Sequence, residues 1–125
     1  MDIMDLLLKA DAESFKMPEQ EVKIKRLSKV LGQDAIFTIR AISLDKFEEI
    51  RETNSKESDM QAMVVLESVK SPNLKAPELK EKFGTKTPLE TIKKILLPGE
   101  IVELYFKISR LSGFGRDTVE EIKKK

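Results

Sequence analysis

Between Leu97 and Gly115 the chain spells out a helix with both of its ends legible. Pro98 suits the first helical position, where its fixed φ fits and its missing N–H would have had no helical partner. Ile101, Leu104, Tyr105, Ile108 and Leu111 then recur at three- and four-residue spacing, a broad apolar stripe. Glu100, Glu103, Lys107 and Arg110 form the opposite ridge, with Glu103 and Lys107 spaced for an i,i+4 ion pair. Gly113 follows the last periodic residue, where a left-handed helix cap favours glycine. A helix with so wide a stripe needs elements on that side, so this one is expected to be central to the core.

The residues before it are punctuated in the same way. Pro77 suits a helix start, Leu79 and Phe83 lie four apart, and Gly84 suits the cap. Thr87-Pro88-Leu89-Glu90 reads as a capping box, with Leu89, Ile92 and Leu96 on the core face of the helix that follows. Ser43 reads as the N-cap of a helix burying Leu44, Phe47 and Ile50. Residues 53–59 carry no apolar side chain and predict a loop, after which Ser58 or Asp59 starts a helix with Ala62, Val65, Leu66 and Val69 on one side. That helix should end before Ser71-Pro72.

Only one stretch changes period. Val22, Ile24 and Arg26 alternate with Lys23, Lys25 and Leu27, and residues 35–42 are rich in β-branched and aromatic side chains, with Phe37 and Ile39 on one side. Gly32-Gln33-Asp34 supplies a turn between them, with a helical turn over Leu27–Leu31 as the alternative. The expectation is a mainly α-helical (α+β) domain with one antiparallel β-hairpin near residues 21–42, all of 1–125 forming a single domain. At the start of the chain Ile3, Leu6, Leu7 and Ala10 share a helical face too short to hold alone, so it must dock on something.

Composition narrows the chemistry. The chain has no His, Cys or Trp, which removes thiol nucleophiles, Ser-His-Asp triads and imidazole or thiolate metal sites. No glycine-rich phosphate loop occurs, so neither an enzyme nor a cofactor is expected. The longest apolar runs, Leu6–Leu8 and Ala62–Leu66, fall far short of the roughly 20 residues that a membrane span needs. Asp2 and Asp5 stand where a signal peptide would be positive, so a cytoplasmic protein is expected. Charged residues make up 36% of the chain, yet the net charge is only +1. Residues 1–21 are acidic and residues 72–125 basic, a division that suits self-association or a mixed-charge partner. A nucleic-acid binder usually carries a larger positive excess.

Several constellations admit a sharp and a plain reading. Leu111-Ser112-Gly113-Phe114-Gly115, followed by a helical pattern from Asp117 to Lys124, resembles the second half of a helix-hairpin-helix. There, glycines let backbone N–H groups approach a phosphate, and Arg116 would add charge. Asp117, Glu120 and Glu121 oppose that nucleic-acid reading. The plain alternative is that Gly113 caps the helix, Phe114 anchors the corner and Gly115 permits the next turn. Glu48-Glu49 and Glu120-Glu121 lack a third ligand at useful spacing for a metal. The five methionines, Met1, Met4, Met17, Met60 and Met63, could form a pliant partner surface, although core filling is the ordinary use of the last two. Lys123-Lys124-Lys125 reads as a solvated end.

Taken in order, several segments resemble a known family. They are Leu6-Leu7-Leu8-Lys9-Ala10-Asp11, Glu21-Val22-Lys23-Ile24-Lys25-Arg26-Leu27-Ser28, Phe37-Thr38-Ile39-Arg40-Ala41, Leu66-Glu67-Ser68-Val69, Glu81-Lys82-Phe83-Gly84 and the block from Leu96 to Gly115. In this order they are similar to the XkdN-like tail assembly chaperones of tailed phages and prophages. The resemblance implies a non-enzymatic protein of the host bacterial cytoplasm, absent from the finished virion. It would bind the tape measure protein and help tail tube protein assemble around it. If so, the partner-binding residues are expected at Leu6, Leu7 and Leu8 and at Gly113, Phe114 and Gly115. A nucleic-acid module using Gly113–Arg116 and a plain structural subunit of the tail remain the alternatives.

Overall fold

The computed structural model describes residues 2–123. Met1, Lys124 and Lys125 lie outside it, and with them parts of the readings placed on the methionines and on the basic end. The architecture is mainly helical α+β, as the periodicities predict. Helix α1 (Ile3–Lys9) and a 3₁₀ turn (Ala12–Phe15) lead into strand β1 (Glu19–Lys23), helix α2 (Lys25–Leu31) and strand β2 (Ile36–Arg40). Helices α3 (Leu44–Thr53) and α4 (Glu57–Ser68) precede strand β3 (Val69–Ser71). Helices α5 (Pro77–Phe83), α6 (Pro88–Ile95) and α7 (Pro98–Leu111) complete the order.

β1 and β2 pair antiparallel from Glu19↔Arg40 to Lys23↔Ile36, which is the expected hairpin with a difference. Its connection is a helix rather than a tight turn. The alternation of Val22, Ile24 and Arg26 continues only to Lys23, because Ser28 fastens the chain into helix: its hydroxyl donates to Ile24 O and accepts from Ala35 N–H, both at 2.9 Å. Gly32, at φ 75°, then ends α2. β3 adds a third antiparallel strand beside β2, giving the order β1-β2-β3. This strand was not expected. Val69 reads locally as the end of a helix stripe, and only its pairing with Ile39 makes it extended.

The core lies between the sheet and the helices. Phe37 and Ile39 from β2 meet Ala62, Val65 and Leu66 of α4, Ile92 of α6, and Ile101, Leu104 and Ile108 of α7. The expected stripe of α7 is therefore its buried face, with Tyr105 and Leu111 at the margin. Met60 and Met63 pack against this core, whereas Met4 and Met17 are exposed. Arg26, released from the strand, clamps α2 to α7: its guanidinium donates to both oxygens of Glu100 at 2.8 and 3.0 Å and to Ile95 O at 2.7 Å. Glu100 is thereby committed to Arg26 and to Leu97 N–H, at 2.7 Å. Its carboxyl lies below the ordinary value, chiefly through the Arg26 hydrogen bond.

Three local expectations need correction. Leu44 is 68% exposed: it stands at the first helical position, beyond the edge of the core that Phe47 and Ile50 reach. The loop of residues 53–59 shrinks to 54–56, since Glu57 and Asp59 suit the positive start of α4. Glu103 and Lys107 make no ion pair with each other and both are exposed, whereas Glu100 of the same ridge is drawn into the Arg26 clamp. The capping residues behave largely as read. Ser43 Oγ accepts from Lys46 N–H, and Thr87 Oγ1 accepts from Glu90 N–H. Glu90 returns its bond to Lys86 N–H, one residue earlier than a strict box.

Candidate partner-binding surface

Leu6, Leu7 and Leu8 lie on α1, whose start is secured by Asp2 Oδ1 accepting from Asp5 N–H at 3.0 Å. Lys9 in its last turn complements the helix dipole. The expected docking of this helix does not occur, for none of its side chains is buried. Leu6 and Leu7 are each 50% exposed and Leu8 77%, with Ile3 and Met4 equally open. Phe15 and Met17 continue the exposed apolar row beyond the helix. A seven-residue helix is marginal in water by itself.

Gly113, Phe114 and Gly115 form the corner after α7. Gly113 N–H donates to Arg110 O and Phe114 N–H to Ser109 O, each at 3.0 Å, closing the helix end. Gly113 at φ 97° and Gly115 at φ 71° occupy the left-handed region, which requires glycine here. Ser112 ties this corner to the end of β2: its hydroxyl accepts from Ile42 N–H at 2.9 Å and donates to Ile108 O at 2.7 Å. The Phe114 ring stands 5.6 Å from that of Phe47 on α3, and Arg51 lies over the Phe47 ring. Phe114 is thus half-seated, with 49% of its surface still open. The plain reading of the corner holds.

The helix expected from Asp117 to Lys124 is not formed over its described residues, 117–123, where Val119 and Ile122 are exposed. Its apolar side chains have nothing to pack against, and so short a segment cannot hold helix unaided. Without that helix the Gly113–Arg116 turn lacks the N-terminal dipole on which a helix-hairpin-helix relies. The two groups of expected site residues are also not gathered into one buried cluster: Phe114 belongs to the α3–α7 corner, while Leu6–Leu8 stand free.

One surface was missed by sequence reasoning. Val102 and Phe106, four apart on α7, are both exposed outside its core stripe. Val102 borders a mainly apolar hollow of about 260 Å³ with Ala62, Leu96, Pro98 and Ile101. Lys93 stands at its rim, held by Asp59 at 2.6 Å, and this contact keeps the Asp59 carboxyl below its ordinary value. The i,i+4 spacing of Val102 and Phe106 was the available signal. Among the described residues no group of three acidic side chains could hold a metal ion, and no helix is long and apolar enough to cross a membrane.

The fold and these surfaces define a small, mainly helical α+β protein whose marked surface features are large apolar side chains held in water. The chain belongs to the phage XkdN-like tail assembly chaperone proteins, whose family model matches residues 4–123. It is 29% identical over 131 residues to the protein YqbN of Bacillus subtilis (strain 168), covering 92% of this chain and 88% of that protein. The crystal structure of YqbN is similar in fold, with a TM-score of 0.62 and 28% identity, over 84% of this chain and 98% of the other.

Proposed function

We propose that this protein is a tail assembly chaperone that binds the tape measure protein, keeps it soluble, and assists tail tube protein to assemble around it, without catalysis. The observation that carries this reading is α1: five large apolar side chains on a short helix, none of them buried. An apolar face that its own fold leaves uncovered is suited to a second polypeptide. A long helical client exposes apolar stripes of the complementary kind. Phe114 and the hollow beside Val102 extend the apolar surface to other sides of the molecule. The protein would work in the host bacterial cytoplasm and leave before the virion is complete. Self-association through the same apolar helix is compatible with this role.

The test is co-expression with a phage tape measure protein. Leu8→Asp replaces a side chain that touches solvent, so folding and thermal midpoint should be unchanged while the client loses solubility. Phe114→Ala should weaken the effect less, since part of its ring already serves the corner. Unaltered client solubility with folded Leu8→Asp protein would remove α1 from the reading.

A further inference from the structure

A cavity of about 400 Å³ lies among the start of β1, the corner between β2 and α3, and the junction of α4 with β3. Lys16, Arg40, Lys46 and Lys70 line it, against the carboxylates of Glu19 and Glu67. Both carboxylates are already neutralised: Glu19 meets Lys70 at 3.0 Å, and Glu67 meets Lys75 at 2.9 Å and Lys46 at 4.0 Å. Burial by itself would push the Glu67 carboxyl up, but Lys75, Lys46 and Arg40 together hold it below its ordinary value. Lys16 and Lys46 also reach the exposed Glu13 and Glu49. Arg40 differs from these lysines. It sits opposite Glu19 in the β1–β2 register, yet Glu19 turns to Lys70, and Arg40 has no ion-pair partner among the described residues.

Two further groups converge on the same place. Ser43, the N-cap of α3, lines the cavity, and the first N–H groups of that ten-residue helix have no helical acceptor. Asp45 also belongs to this first turn but does not line the cavity. Ser68 is 1% exposed, lines the cavity, and its hydroxyl has no hydrogen-bond partner. An orphaned buried hydroxyl is uncommon in a folded protein.

We propose that this cavity binds a carboxylate carried by a partner polypeptide, gripped by the Arg40 fork with the first turn of α3 and the Ser68 hydroxyl. The guanidinium fork matches a carboxylate in bidentate geometry. Lys70 and Lys46 already face Glu19 and Glu67, and Lys16 faces Glu13, so among the described residues Arg40 is the lining cation left over, a surplus suited to a singly charged group. Met17, Ala41 and Ile42 make the rest of the wall apolar, which suits the short stem of an acidic side chain or of a chain end. The site does not depend on the role assigned to α1.

Amide NMR titration of the intact protein tests this with defined probes. Acetyl-Ala-Glu-Ala-amide offers only a side-chain carboxylate, and acetyl-Ala-Ala-Ala offers only a chain-end one; acetyl-Ala-Gln-Ala-amide and inorganic phosphate serve as controls. At least one carboxylate peptide should shift the Ser43 and Leu44 amides and the Arg40 Nε–H, saturating with a Kd of about 5 mM or tighter. Whichever does so more tightly identifies the source of the carboxylate. Arg40→Gln should weaken this binding by about tenfold and Lys46→Gln by a smaller factor, both with otherwise native spectra. If Arg40→Gln fails to fold, Arg40→Lys, which keeps charge but not the fork, must show the loss instead. The assignment is overturned if neither carboxylate peptide causes these shifts, if the glutamine peptide causes them equally, or if only phosphate does. Wild-type affinity in the folded Arg40 variant would overturn it too.

Discussion

Two serine hydroxyls in this fold should respond to the same deletion with opposite signs. Ser112 Oγ accepts from Ile42 N–H and so joins the end of α7 to the end of β2. Ile42 is a buried residue, and among the described residues no other acceptor takes its N–H. Ser112→Ala leaves that donor without a partner, which costs about 1–3 kcal/mol. For 125 residues the unfolding entropy near the midpoint is about 260 cal/mol/K. The midpoint should then fall by about 4–11 °C. Ser68→Ala removes a hydroxyl that is buried and already unpartnered, so the ligand-free protein should be unchanged or more stable by up to about 1 kcal/mol. That corresponds to a rise of at most about 4 °C. Calorimetry on both variants, with urea titration to check that m is constant, reads the difference directly. A Ser112→Ala midpoint within about 1 °C of wild type would mean that water replaces the serine and that the corner is not held by this bond.

Two further outcomes follow from the core and from the clamp between α2 and α7. Ile92 is fully buried in the core cluster on the α4 side of α6, so Ile92→Ala should cost about 2–5 kcal/mol and Ile92→Val about 0.5–1.5 kcal/mol, measured by urea unfolding. Equal costs for the two would place Ile92 outside the packed centre. Glu100 has a folded pKa below its ordinary value of 4.5, so its stabilising contribution is present above that value and is lost as pH falls through the lower folded value. Acidification from neutrality to about pH 3 should lower the urea midpoint, and Glu100→Gln should make it less sensitive to acid over that interval. An identical pH profile for the variant would show that other carboxylates dominate.

What was legible in the sequence is what local chemistry decides. Pro88 and Pro98 open helices because a proline tolerates that position alone in a helix, and Gly84 closes one because it can adopt a left-handed conformation. Ile101, Leu104 and Ile108 needed only their spacing to be assigned to the core. β3 was not legible, since Val69 becomes strand only by meeting Ile39, thirty residues earlier in the chain. Arg26 was misplaced for a related reason: its destination is Glu100, far along the sequence, and no pattern near residue 26 announces it. The site residues divide in the same way. That Leu6–Leu8 are apolar is plain from the sequence, whereas their remaining uncovered is a property of the whole fold. The cavity beside Arg40 is assembled from three stretches far apart in the chain and leaves no linear trace.

The exposure of α1 also bears on how tightly a client could be held. Ordering seven residues of backbone costs about 7–14 kcal/mol. Burying the open part of Ile3, Met4, Leu6, Leu7 and Leu8, between 50% and 77% of each, on a partner would return about 5–9 kcal/mol, taking about 1.5–3 kcal/mol for a fully exposed side chain. The two terms nearly cancel, and the Asp2 cap and Lys9 add only about 1–2 kcal/mol to the balance. If α1 is the client-binding element, it therefore gives a contact that forms readily, covers greasy surface and lets go. Phe114 stands at the other extreme, already oriented by Phe47 and by the closed end of α7, with little ordering left to lose. A loosely ordered helix for coverage and a fixed ring for orientation would let one small protein shield a client and still yield it to an incoming tail subunit. By the same arithmetic, if α1 does bind the client, any change that made it helical on its own would tighten the grip and slow the release.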